Sequence, residues 1–367
     1  MGSKGFFTAE NARAYSAKGN ATKERRRTQD DLSCYEGDPV AFMRALVDPE
    51  TGELFVPYPA QVRFLEEAFT VTDDGRLPFP ELVFSAPKKS GKTAFGAVCL
   101  LYMVRVVGGK FAEGYCIAND YDQSKGRVFK AVARICEATD WLTETVTIQR
   151  DKIIFKHTGA TIEALASDYA GAAGSNPTMT VFDELWGYTS ESAHRLWDEH
   201  VPPPTRKGMA CRLTVTYAGF EGESDLLEGL YKRGKGGEVI GVDLYRDGGL
   251  LMYWTHTPPA PWQTDNWIEE MRANTRRNAY LRHVENQWVS SEGEFLPISW
   301  WDACVDDDLR PVLSEPRLPV WVGLDGSVKH DATAIVVCAW NGDLPRKPED
   351  PMVDGPDLVG QIHPDVA

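Results

Sequence analysis

The chain lacks any apolar run long enough to cross a bilayer. The longest candidate, 97–107, is broken by Arg105 and falls short of the ~18–20 residues a membrane helix needs. No Cys-x-x-Cys pair occurs. The seven cysteines, at 34, 99, 116, 136, 211, 304 and 338, are scattered and mostly in apolar surroundings. That pattern points to free thiols in a reducing compartment and excludes a disulfide framework. The seven histidines are equally dispersed, with no zinc-ligand spacing. The N-terminus lacks the charged-then-apolar order of a secretory signal, and no internal repeat is visible. Positive charge is also short: 39 Lys and Arg against 54 Asp and Glu leave a net charge of −15. Whole-surface attraction to nucleic acid is thereby excluded, and any such contact needs a local patch. Lys23, Arg25, Arg26 and Arg27 form one candidate. It is either an arm that touches DNA or a partner, or a solvated tail.

What is present is the composition of an ordinary globular protein, with 367 residues, 43% hydrophobic and 25% charged. That length accommodates two domains. Residues 1–35 read as a weakly ordered arm. Helices are expected over 38–46, 62–69, 93–107 and 122–138, and strands over 82–85 and 114–118. Short strands follow at 148, 153–155 and 161–165, then at 178–182 and 211–216. This strand–helix alternation predicts an α/β fold, a mostly parallel sheet with helices on both faces. Two helices, 266–276 and 278–288, follow the Pro-rich stretch 258–261 and predict a small connecting subdomain. A strand pair is expected over 320–324 and 332–340, and a Pro-, Gly- and Asp-rich tail beyond 341.

The most informative stretch is 82–93, where an apolar run leads into Ala86-Pro87-Lys88-Lys89-Ser90-Gly91-Lys92-Thr93. A strand, a turn and then Gly-Lys-Thr opening a helix is the layout of a phosphate-binding loop. Unpaired N–H groups at a helix start, together with the helix dipole, favour an anion there. Gly91 lets the backbone approach the phosphates, Lys92 reaches the β and γ phosphates, and the Thr93 hydroxyl can hold Mg²⁺. Ala86 stands where the usual pattern has glycine.

A phosphate loop needs a metal-holding acid on a neighbouring strand. Met179-Thr180-Val181-Phe182-Asp183-Glu184 supplies an apolar strand ending in two carboxylates. Asp183 would hold Mg²⁺ and Glu184 would activate the attacking water as general base. The strand 213–216 ends in Thr216, beside the acid strand, where a hydroxyl could sense the γ-phosphate. Gln61, just after two prolines, could read an adenine edge by paired hydrogen bonds.

These segments, in this order, resemble the large terminase subunit of tailed bacteriophages, the motor that packages DNA. The segment 57–61 looks like its adenine-binding segment, and 86–93 like its deviant phosphate loop, with Lys88 or Lys89 as the early basic residue. Gly174-Ser175-Asn176-Pro177 ahead of Asp183-Glu184 looks like the second nucleotide motif. Thr216-Tyr217-Ala218 looks like the coupling motif. Tyr280-Leu281-Arg282-His283-Val284-Glu285-Asn286-Gln287-Trp288-Val289, with Trp300-Trp301-Asp302 beyond, resembles the ATPase–nuclease junction of the HK97-like branch. The resemblance implies a P-loop (RecA/ASCE-like) ATPase domain over 36–255, a linker subdomain over 256–317 and the start of an RNase H-like nuclease over 318–367. It implies ATP and Mg²⁺ as cofactors, and double-stranded DNA, a portal protein and a small terminase subunit as partners. It also implies a homo-oligomeric ring, no membrane association, and a place in the host cell cytoplasm.

Asp325, on the expected first nuclease strand, would be a catalytic carboxylate bridging two metal ions. Asp331 would be an outer partner or a turn residue. Only 42 residues follow Asp325, whereas a nuclease domain needs on the order of 100. The nuclease is therefore expected to be incomplete, with Asp354, Asp357 and Asp365 poor substitutes for its missing acids. Arg127 and Arg134 are candidates for an arginine acting on a neighbouring subunit's nucleotide. On hydrolysis, the connecting segment 225–287 would move and drag the duplex. Three other readings remain open from the residues: a helicase-like P-loop ATPase without a packaging role, a catalytically silent assembly protein, and a metal-dependent nuclease.

Overall fold

The computed structural model describes residues 32–118, 127–166, 174–290, 320–325 and 334–339. The basic cluster at 23–27, Asp331 and the tail acids lie outside them. The chain divides into two compact units, residues 1–294 and 295–367. The expected boundary near 256 falls inside the first.

The first unit is built on one ten-stranded sheet. Its strands are β1 (Glu81–Ser85), β2 (Glu113–Ala118), β3 (Val146–Ile148), β4 (Lys152–Phe155), β5 (Thr161–Ala166), β6 (Met179–Asp183), β7 (Cys211–Thr216), β8 (Glu238–Gly241), β9 (Leu244–Asp247) and β10 (Leu250–Trp254). Their spatial order is β3-β4-β5-β2-β6-β7-β1-β10-β9-β8. The run from β5 to β10 is parallel, and antiparallel hairpins extend both ends. β1 and β6 are buried along their whole length, as expected of parallel strands covered on both faces. Side chains alternate between two cores: Leu82 and Phe84 of β1 join one, and Val83 joins the other.

Besides the single turn Asp140–Thr143, the helices among the described residues are α1 (Pro39–Arg44), α2 (Pro59–Phe69), α3 (Lys92–Tyr102), α4 (Val128–Ala138), α5 (Glu191–Glu199), α6 (Asp225–Gly236), α7 (Asp265–Asn274) and α8 (Arg277–Val284). α1 starts where Asp38 accepts the Ala41 N–H at 2.8 Å, with Pro39 at its first position. α2 likewise opens on Pro59. α3 packs directly on the sheet because Gly96 carries no side chain: a Cβ there would lie 3.1 Å from Val215 Cγ1. The helix expected over 93–107 changes at residue 103 into a single π-helical turn, Met103–Val107. The buried Arg105 of that turn stacks on Phe155 at 4.6 Å.

The expected second linker helix ends four residues early, at Val284, because Asn286 takes a left-handed conformation (φ 50°). The segment 225–287 does not stand apart from the sheet. It contains α6 and the strands β8–β10, and β10 pairs with β1 in register Ser85↔Trp254. The second unit shows β11 (Val320–Asp325) paired antiparallel with β12 (Ala334–Ala339), with Asp325 opposite Ala334.

Candidate active site

Three strand ends converge at one edge of the sheet. β1, β7 and β6 are parallel, so Ser85, Thr216 and Asp183 all sit at their carboxyl ends. The acid strand does not adjoin the loop-bearing strand, as the sequence suggested: β7 lies between them. Thr216 is consequently central, at the end of the strand that separates the two motifs, and its Oγ1 donates to its neighbour Tyr217 O at 3.0 Å.

The loop 86–91 turns through two left-handed residues, Lys89 (φ 67°) and Gly91 (φ 81°), directly before α3. Lys92, on the first turn, is buried, and its Nζ donates to Ala86 O (2.8 Å) and Pro87 O (2.9 Å). Burial lowers its pKa to about 8, opposed by the charges of Glu184 and Asp183. Lys92 Nζ also sits over the ring of Tyr217, which follows β7, the strand paired with the acid strand, at 5.4 Å. Ser90 is fully buried and its hydroxyl has no hydrogen-bond partner. Thr93 follows on the same turn, half-buried.

The loop is held from outside by its carbonyls. Tyr58 Oη donates to Ser90 O (3.2 Å), Trp262 Nε1 to Lys89 O (2.6 Å) and Gln263 Nε2 to Lys88 O (2.9 Å). Lys88 N–H donates to His283 O at 2.7 Å. The Trp262 ring lies against Gly91, where a Cβ would be 3.3 Å away. Lys88 Nζ also sits over the Tyr217 ring at 5.0 Å.

Asp183 is buried, and its Oδ2 has no hydrogen-bond partner. Glu184 follows in a left-handed conformation (φ 57°), its N–H donating to Val215 O at 2.9 Å. A non-glycine residue held there is strained, as functional positions often are. Burial raises both carboxyl pKa values, with Lys92 and Arg127 opposing. Arg127 Nη1 lies 3.9 Å from Asp183 Oδ2 and 3.7 Å from Glu184 Oε1. Of the two expected arginines, then, Arg127 reaches the acid pair of its own chain. Arg134 instead pairs with Glu50 at 3.0 Å on the surface.

A buried carboxylate oxygen without a hydrogen-bond partner, as Asp183 Oδ2 is, fits a Mg²⁺ held mostly by phosphates and water. Among the described residues no cluster of three or more His, Cys, Asp or Glu could hold an ion unaided. Gln61 is buried, with Oε1 accepting the Tyr58 N–H at 3.2 Å, so part of its amide already caps α2. A cavity of about 280 Å³ at the start of α2 is lined by Tyr58, Pro59, Arg63, Val242, Tyr253 and Pro259, among others, and Gln61 is not part of its lining. Asn176, on the approach to β6, is fixed through its N–H to Glu113 Oε2 (3.0 Å) and its carbonyl to Arg206 Nε (3.0 Å). Asp325 belongs to the second unit, at the end of β11.

Residues 74–204, spanning the loop, Arg127 and the acid pair, match the family model "Terminase large subunit, ATPase domain". That segment of the chain is similar to a terminase ATPase domain. Comparison with curated proteins finds no match. The structure of the HK97 bacteriophage large terminase aligns with a TM-score of 0.57 at 17% identity, over 84% of this chain and 65% of that one. The chain thus spans 65% of the length of that terminase. A large terminase from a thermophilic bacteriophage aligns at 0.48 and 14% identity, over 78% of this chain and 66% of that one. The Thermus phage P74-26 large terminase ATPase domain aligns at 0.45 and 16% identity, over 64% of this chain and 95% of that one. Around this candidate site, sequence patterns missed Trp186, Trp262, Arg282 and Asn286. The last two sit in the junction segment that carried the family resemblance, without a role attached.

Proposed function

We propose that the chain is an ATP-hydrolysing motor subunit that drives viral double-stranded DNA into a procapsid. The observation that carries this reading is the convergence of Lys92, Asp183 and Glu184 at one sheet edge, inside the segment that matches the terminase ATPase model. The adenine enters the cavity of about 280 Å³ at the start of α2, the helix that carries Gln61. The first-turn N–H groups of α3 and the side chains of Lys88, Lys89, Ser90, Lys92 and Thr93 receive the phosphates. The loop backbone passes close at Ala86 and Gly91.

Thr93 and Asp183 would hold Mg²⁺, which supplies charge neutralisation on the phosphate oxygens when bound. Glu184 takes a proton from water as the water oxygen bonds to the γ-phosphorus. The bond to the bridging oxygen breaks, and ADP leaves with its electron pair. Thr216 reports the γ-phosphate. Contacts to DNA phosphates carry no sequence information, which suits a translocase.

The portal, a small terminase subunit and further copies in a ring are the partners of this reading, and the host cytoplasm its place. Among the described residues no helix is long and apolar enough to cross a membrane. Asp325 is proposed as a metal ligand of a nuclease unit, a role that Mn²⁺-dependent plasmid nicking lost in Asp325→Ala would support. The deciding experiment measures ATP hydrolysis with and without portal and DNA. Parent activity stimulated by both, and abolished in Lys92→Ala, is expected. Equal rates in parent and Lys92→Ala would refute the motor.

A further inference from the structure

The proposed base is not held by its own backbone alone. Trp186 Nε1–H donates to Glu184 Oε2 at 2.8 Å. The other oxygen, Oε1, faces Arg127 at 3.7 Å. A carboxylate pinned through one oxygen cannot rotate freely, so the second keeps a defined direction.

The indole is fixed in turn. Its ring lies 4.1 Å from the guanidinium carbon of Arg282, which also lies 4.0 Å from Phe220 and 5.0 Å from Tyr217. Arg282 is buried at 3% exposure, and its Nε donates to Ala218 O at 3.0 Å. The Trp186 carbonyl accepts Ser224 Oγ–H at 2.7 Å, and Ser224 Oγ accepts the Phe220 N–H at 3.1 Å. Gly219 gives this cage its room, since a Cβ there would meet Trp186 Cβ at 3.0 Å. Arg282 belongs to α8, and the adjacent His283 carbonyl holds the phosphate loop through Lys88 N–H at 2.7 Å. One helix therefore touches both halves of the site, the loop directly and the acid through a stacked indole.

We propose that Trp186 is a positioning residue for Glu184, and that Arg282 transmits the placement of α8 to that carboxylate through the Trp186 ring. The inference rests on Glu184 being the base of the proposed ATPase. Its chemistry is specific to tryptophan: the ring stacks on a cation while the N–H holds an anion.

The test is steady-state ATP hydrolysis with Mg²⁺ by the full chain. Trp186→Phe keeps a ring for Arg282 and removes the N–H. It should lower kcat about tenfold, the loss of one charge-assisted hydrogen bond, while KM for ATP stays within about twofold. In a Glu184→Gln background the same change should cost nothing further. Arg282→Lys, which keeps charge but not planar stacking, should lower kcat in the parent and not in Trp186→Phe. Parental kcat in Trp186→Phe, a KM change as large as the kcat change, or full additivity with Glu184→Gln overturns the inference alone. A Glu184→Gln protein that hydrolyses ATP at the parental rate overturns the base assignment, and this inference with it.

Discussion

Asn286 is a residue outside the chemistry whose removal the structure makes expensive. It is fully buried, at the point where α8 ends. Its Oδ1 accepts the Ala218 N–H at 2.6 Å, and its Nδ2 donates to Thr255 O (2.8 Å) and Ser85 Oγ (3.0 Å). One amide thus joins the ends of β1 and β10 and the segment after β7. Three net hydrogen bonds at about 1 kcal/mol each give roughly 3 kcal/mol, and the partners left unpaired in the interior push the figure up. The backbone separates the two variants. At φ 50° the Cβ that asparagine and alanine share is strained by about 1–2 kcal/mol, and glycine is free of that strain. Asn286→Ala should therefore lose about 3 kcal/mol or more, and Asn286→Gly about 1–2 kcal/mol less than Asn286→Ala. Urea unfolding followed by far-ultraviolet circular dichroism measures both, with the exposed Gln287→Ala as a control expected within about 0.5 kcal/mol of the parent. If Asn286→Ala stays within about 1 kcal/mol of the parent, or Gly costs more than Ala, the bond assignment and the backbone argument are wrong.

Glu184→Gln should reduce ATP turnover at least ~10²-fold with little change in ADP affinity, read by steady-state kinetics and calorimetric titration. Glu81 is buried against Arg212, and desolvation raises its pKa from 4.5 to about 7. Because the folded state then binds the proton more tightly, its contribution is greatest below pH ~4.5 and is lost as pH rises to about 7. The stability difference between parent and Glu81→Gln should drift against the parent by roughly 3 kcal/mol across that window, and a flat difference would contradict it. Replacing both partners, Glu81→Leu with Arg212→Met, should cost less than Arg212→Met alone in the same urea assay. Iodoacetamide should label Cys34 in the native protein and spare Cys99, Cys116, Cys136 and Cys211 until urea unfolds it, as peptide mass spectrometry would show. Cys34 is exposed and the others buried, with burial raising their thiol pKa values.

The two motifs proposed to bind nucleotide were legible because each is local. A buried strand, a Gly-Lys-Thr turn and a helix announce themselves within a dozen residues, and so does an apolar strand ending in Asp183-Glu184. Their common edge followed from parallel topology. What escaped was tertiary. The strand between the motifs, β7, was visible as a strand but not as a separator. β8–β10 carry turn signals at 242–243 and 248–249, yet β10 is buried throughout and shows no alternation to read. Trp262, Gln263, His283 and Asn286 reach the loop or its strand from more than 170 residues away through single hydrogen bonds, which leave no periodic trace. Arg127 was legible only as one arginine among several, since its meeting with the acid pair depends on where α4 starts.

The carbonyl clamps on the phosphate loop carry a consequence for how the protein is made. The ribosome releases the Gly-Lys-Thr turn early, but Trp262, Gln263 and His283 emerge some 170–190 residues later. Until then the nascent turn has the right residues without the supports that set its shape. A nucleotide-binding pulse-chase on stalled chains would find retention on ATP-agarose only once residue 286 has cleared the exit tunnel. A fragment cut at 255, however well its sheet formed, would bind poorly.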